Sequence, residues 1–252
     1  MAIVDCGPAD VIQEYGKISV KTGEAAFNAV KTAVFATIEG QFDAIVTAPL
    51  SKHSVNLAGH DYTGHTQMLQ KWCGVDDTIM IFLSGWLKVG LLTVHISLAE
   101  VPPRLSKNMI ISKVNLLNNE LKMRFNETDP KIALCSLNPH AGEEGMFGRE
   151  EADIMMPAVE ELRSNGINIT DPLPADTLFL NADKYSAILA VYHDQGLIPA
   201  KMSPGGSTNY TGGLPIIRTC PDHGTAFNIA GQGIADPRGM INAVRWALKL
   251  CR

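Results

Sequence analysis

Four short runs of almost unbroken apolar residues punctuate the chain: FDAIVTAP (42–49), GLLTVHISL (90–98), KIALCSLNP (131–139) and YSAILAVYH (185–193). Each has the length of a strand, and the lack of polar alternation predicts strands covered on both faces. Between them the apolar positions change period. In 22–42, Ala26, Ala29, Val30, Ala33 and Val34 fall on one helical face, and Gly40 is placed to cap its C-terminus. The stretches 107–125, 149–166 and 239–250 read as helices in the same way, with Pro157 expected to bend or restart the third. The opening MAIVDCG reads as a strand. Strands alternating with helices predict an α/β fold with a largely parallel sheet.

Composition narrows the classes. The 252 residues are 46% hydrophobic and 19% charged, with a formal net charge of -5. No basic stripe appears, which argues against nucleic acid as a partner. No apolar run is long enough to span a membrane, and no signal peptide opens the chain. Cys6, Cys73, Cys135, Cys220 and Cys251 are odd in number and scattered, as free thiols in a reducing compartment would be; the cytoplasm is the expected location.

The candidate chemistry gathers where strands should end. His95, His140 and His193 follow three different apolar runs, so all three are expected at one rim of the sheet. Imidazoles converging from separate strands suit a divalent metal with an open position, and Asp176 or Asp194 could orient a ligand or join the coordination. The competing reading makes each a hydrogen-bonded structural histidine. In YTGHTQML, Thr66 after His65 is either an ordinary helix N-cap or part of a helix start that binds an anion. Lys201, Asn209 and Arg218 offer further donors for phosphate or carboxylate. The loop DHGTAFNIAGQGIADP (222–237) contains Gly224, Gly231 and Gly233, which permit tight turns, yet it is neither a P-loop nor a dinucleotide fingerprint.

Taken in order, TAPLSK, GHTQML, SLNPHAGEEGMFGREE, PLPADTLF, VYHDQGLIPAK, GLPIIRT and DHGTAFNIAGQGIADP resemble the 4-hydroxythreonine-4-phosphate dehydrogenase family from about Thr22 to the end. The resemblance implies an isocitrate/isopropylmalate dehydrogenase-like fold: two α/β/α subdomains with a cleft between them, in a homodimer. The approximate division is a cofactor-side subdomain (1–60 with 205–252) and a metal and dimer-side subdomain (61–204). It implies His95, His140 and His193 as ligands of a divalent metal (Zn first, or Mg, Mn or Co) contributed by both subunits. It puts His65, Thr66, Lys201, Asn209 and Arg218 around a phosphorylated substrate, and Asp176 and Asp194 beside the metal as catalytic acids. The loop holding His223, Gly224, Thr225, Ala226, Asn228 and Gly231 is similar to an NAD- or NADP-binding loop.

The activity implied is metal- and NAD-dependent oxidation and decarboxylation of 4-phosphohydroxy-L-threonine to 3-amino-2-oxopropyl phosphate, in pyridoxal phosphate biosynthesis. Lys201 is the candidate for proton transfer or carboxylate binding. Two features depart from the family pattern. The chain starts beyond the usual opening strand and Gly-Asp-Pro-Ala-Gly-Ile-Gly-Pro-Glu loop, and Gln67 stands where Glu is common. Alternative readings are a D-threonate or D-erythronate 4-phosphate dehydrogenase, a truncated and inactive metal-binding α/β protein, and a zinc hydrolase, against which the NAD-like loop weighs.

Overall fold

The computed structural model describes residues 3–7, 14–202 and 206–251. Among them run the strands β1 (Ala44–Val46), β2 (Ile79–Ser84), β3 (Leu87–Leu91), β4 (Ile132–Cys135), β5 (Ile169–Leu173), β6 (Ala187–Ala190), β7 (Thr208–Gly212) and β8 (Ile217–Pro221). The helices are α1 (Val20–Ile38), α2 (Lys52–Leu57), α3 (His65–Cys73), α4 (Val101–Arg104), α5 (Lys107–Phe125), α6 (Met156–Ser164), α7 (Ala175–Leu178), α8 (His193–Met202) and α9 (Arg238–Leu250). None is long and apolar enough to cross a membrane. The chain divides into two compact units, one formed by residues up to Asp77 with Leu214–Cys251, the other by Thr78–Gly213.

In the first unit β1 and β8 pair in parallel, with Ala44 opposite Ile217 and Val46 opposite Thr219. The α1 helix begins where Ser19 accepts a hydrogen bond from the Thr22 N–H, which satisfies one of the free donors at a helix start. It ends at Glu39, one residue before the expected cap Gly40, which takes the left-handed conformation just outside. Val34, Ile45, Leu69, Leu214 and Ile216 form one buried cluster, and Phe27, Val55 and Met68 a second. Because Met68 and Leu69 belong to these clusters, α3 lies in this unit rather than beyond a boundary at residue 60. Residues 3–7 form no strand, and Ile3 and Val4 are exposed, so the strand expected at the start is not formed there; Met1 and Ala2 lie outside the described residues.

The second unit holds the strand order β7-β2-β3-β6-β4-β5. The β3–β6, β6–β4 and β4–β5 pairs are parallel, whereas β2 runs antiparallel to both β3 and β7. Most pairs are therefore parallel, as expected, but the sheet is mixed because β2 runs against both its neighbours. The cause is local: Gly85 and Trp86 alone separate the paired Ser84 and Leu87, and so short a turn can only join antiparallel strands. All of β4 and β6 is buried, as their unbroken apolar sequences require. The α5 helix spans the predicted residues and buries Ile110, Val114, Leu117 and Leu121. A π-helical turn, Glu151–Met155, precedes α6, which restarts with Pro157 in its first turn, where a missing N–H costs nothing.

Candidate functional site

The first unit gathers a cationic cluster from the end of β1, the starts of α2 and α3, and β8. Arg218 on β8 is 2% exposed, and its Nε and Nη2 donate to Thr47 Oγ1 at 3.1 and 2.7 Å. Burial pulls its pKa below the ordinary arginine value. Lys52, at the start of α2, reaches over Gly64, with its Cε 3.1 Å from where a Cβ on that residue would lie. Gly64 caps α3, so the predicted N-cap Thr66 is instead the second helical residue, and no side chain caps the helix. The first turn thus keeps backbone N–H groups without intrahelical partners.

His65 opens that turn. Burial, then the charges of Arg218 and Lys52, push its pKa down to about 3, so it is neutral at physiological pH. Its Nε2 is buried with no hydrogen-bond partner. A buried cation, an unpartnered imidazole nitrogen and a helix N-terminus have the chemistry to accept an anionic oxygen group. Gln67, the departure from the family's Glu, accepts the Thr63 N–H through Oε1 at 2.7 Å. An amide oxygen can make this bond as a carboxylate would, so the turn before α3 is retained without the negative charge.

In the second unit β3, β6 and β4 are adjacent and parallel, so the segments that follow them leave at one rim, as predicted. His95 lies in the loop after β3, and His193 opens α8 immediately after β6. Their ring centroids are 5.8 Å apart, beside a cavity of about 240 Å3 that Asp194, Ile96, Leu98 and Val101 also line. Asp194 Oδ1 is 2.7 Å from His193 Nδ1. If Nδ1 carries the proton, Nε2 is left with its lone pair, the orientation a metal-binding imidazole needs.

His140 follows β4 but is not gathered with the other two. It begins a run of left-handed backbone, His140 to Glu144, and its ring packs near that of Phe147 at 6.2 Å. Among the described residues no three His, Cys, Asp or Glu side chains are close enough to hold a metal ion. Asp176 is exposed near the start of α7, and Lys201 is exposed in the last turn of α8. Asn209, on β7 opposite Phe82, has a buried side-chain oxygen with no partner.

The loop from His223 to Gly231 is exposed over most of its length, with His223 Nδ1 2.9 Å from the Gly224 carbonyl oxygen. Its left-handed positions are Ala226 and Gly231, with Gly233 just beyond; Gly224, expected to make a tight turn, takes no left-handed conformation. Thr225 and Asn228 lie on its exposed part. Tyr15 packs against Gly231. Thr47, Lys52 and Glu151, a buried acid at the foot of the His140 loop, were not singled out by sequence, although each lies in or beside a motif quoted above.

The model of the pyridoxal phosphate biosynthetic protein PdxA family matches residues 1–247. A 4-hydroxythreonine-4-phosphate dehydrogenase of Sulfurihydrogenibium sp. is 45% identical over 244 residues, 96% of this chain and 76% of that protein. A Bradyrhizobium diazoefficiens relative, provisionally named a D-threonate 4-phosphate dehydrogenase, is 40% identical over 93% of this chain and 72% of its own length. The crystal structure of the Klebsiella pneumoniae 4-hydroxythreonine-4-phosphate dehydrogenase superposes with a TM-score of 0.88 at 39% identity, over 94% of this chain and 73% of that one. Isocitrate dehydrogenase from Methylococcus capsulatus, at 14% identity and a TM-score of 0.50 over 91% of this chain and 80% of its own, shares the fold alone. A match of this extent, carried by nearly the whole chain and by the same architecture, makes this protein a member of the pyridoxal phosphate biosynthetic PdxA family.

Proposed function

We propose that the chain catalyses NAD- and divalent-metal-dependent oxidation and decarboxylation of 4-phosphohydroxy-L-threonine to 3-amino-2-oxopropyl phosphate, as a cytoplasmic homodimer. The observation that carries the reading is the cluster at the start of α3, where neutral His65 lies within the influence of buried Arg218 and of Lys52. It has the chemistry to hold a small phosphorylated acid. In this reading Arg218 and the first-turn N–H groups bind an anionic group, Thr66 adds a hydroxyl, and His65 hydrogen-bonds without adding charge. Asn209 offers a buried oxygen that needs a donor.

His95 and His193 fit a metal in donor type and in spacing, and Asp194 orients His193. His140 is assigned as the third ligand, supplied by the partner subunit. The exposed loop 223–231 fits a dinucleotide, since a Cβ added to Gly224 would meet no atom within 4 Å and its backbone is open to approach. A bound divalent cation would supply Lewis-acid stabilisation of developing negative charge, and bound NAD an acceptor for hydride. Lys201 is the residue proposed to bind the carboxylate or move a proton. Asp176 is assigned a charge beside the metal.

The test is NADH formation by cobalt- or zinc-loaded protein given 4-phosphohydroxy-L-threonine, D-threonate 4-phosphate or D-erythronate 4-phosphate, each with a chelator control. Chelator-sensitive turnover of the amino acid phosphate, faster than of the sugar acids, is expected. Preference for D-threonate 4-phosphate would move the chain to the activity named for its Bradyrhizobium relative. No NADH from any substrate with metal bound would overturn the dehydrogenase reading. Lys201→Met should lower kcat by at least about a hundredfold, as expected for a lost proton-transfer group.

A further inference from the structure

We infer that Glu151 is a positioning residue for His140: its buried carboxylate fixes the foot of the loop that presents this histidine. The inference rests on the proposal above that His140 is a metal ligand. Glu151 is 5% exposed. Its Oε1 accepts the backbone N–H groups of Leu137 and Asn138 at 2.8 and 2.7 Å, and its Oε2 accepts the Asn138 side-chain amide at 2.9 Å. Those residues stand immediately before Pro139 and His140, after β4 has ended at Cys135 and backbone pairing has stopped at Ser136.

The loop beyond needs such a hold. From His140 to Glu144 every residue has positive φ, and four of the five are not glycine. A side chain in that region costs about 1–2 kcal/mol per residue, so the conformation persists only when its surroundings impose it. The loop is packed onto the carboxylate itself: a Cβ on Gly142 would lie 3.0 Å from Glu151 Oε2 and 2.9 Å from the Gly148 carbonyl oxygen. Asn138 also donates to Glu150 Oε2 at 2.8 Å, and Ser136 Oγ to the Asn138 carbonyl at 2.9 Å. Gln195 then joins this foot to the other histidine segment, donating to the Ser136 carbonyl and accepting the Val191 N–H, both at 2.7 Å. Burying a carboxylate is costly, and three hydrogen bonds to one short segment offset that cost only while the segment holds this shape. The same frame therefore sets where His140 is offered.

Cobalt(II) affinity, measured by competition with a chromophoric chelator, and the visible spectrum of the cobalt protein test this in the full chain. E151Q keeps the side-chain volume but must set an amide N–H₂ against either the Asn138 amide or the two backbone N–H groups. Its metal-free form should melt within a few degrees of the parent protein, yet bind cobalt about tenfold more weakly with an altered spectrum, in the direction of His140→Ala. If E151Q does not fold, Glu151→Asp, which retains the charge but withdraws the carboxylate, should give the same shift. Parent-like affinity and spectrum in the folded variant, with His140→Ala impaired, would overturn the positioning role alone. Parent-like binding by His140→Ala would instead remove His140 from the metal, and the positioning role with it.

Discussion

His65 shows how far one side chain is defined by what surrounds it. Its ordinary pKa of 6.5 falls to about 3 in the folded protein. The unfolded chain therefore takes up the proton first, and this residue's contribution to stability is lost as pH falls from about 6.5 towards 3. One pKa unit is worth about 1.4 kcal/mol, so about 2–3 kcal/mol should disappear between pH 7 and 4.5. Urea unfolding at the two pH values measures it, and His65→Gln should flatten the difference. Arg218 makes a sharper demand on geometry. Its guanidinium places two donors on Thr47 Oγ1, which an ammonium group cannot reproduce. Arg218→Lys should therefore raise the KM for a phosphorylated substrate about ten- to a hundredfold, measured by steady-state kinetics. The type of each residue could be read from sequence, but the pKa of His65 and the burial of Arg218 could not, because both depend on neighbours far away in the chain.

At the scale of elements, α3 is the instructive case. Sequence put a helix start at GHTQML, and a helix is there, but Gly64 caps it and Thr66 lies inside. Gln67 ties down the turn before the helix rather than its first turn, accepting the Thr63 N–H through its side-chain oxygen. Gln67→Glu would place a negative charge in the first turn of a helix and strengthen that bond. It should raise stability by about 0.5–1 kcal/mol in urea unfolding, with a smaller gain at high salt. The long helices α5 and α9 were legible to within a residue because their apolar stripes repeat over several turns. The β2–β3 hairpin was missed. Its strands form one apolar stretch broken by Gly85 and Trp86, and attention to that turn would have divided it.

The whole molecule decides whether the proposed metal site is complete. One chain brings His95 and His193 together and leaves His140 apart, which in the proposed homodimer divides each site between subunits. Mixing His140→Ala with His193→Ala under conditions of subunit exchange should then restore about a quarter of the sites, since half the dimers are mixed and each has one intact site. Zinc content and NADH formation would both report it, and no recovery after demonstrated exchange would place all three histidines in one subunit. The sequence by itself determined the α/β class, the buried strands β4 and β6, the long helices, and the histidines at a common rim of the sheet. These follow from local periodicity and from the cost of burying polar groups. Only the tertiary structure decided the pairing of β2 with β7, the neutral His65 beside Arg218, the separation of His140 from its companions and the buried Glu151 beneath it. Each depends on contacts between residues distant in sequence, and no local pattern encodes which distant partner will lower a pKa, satisfy a carboxylate or hold a strained loop.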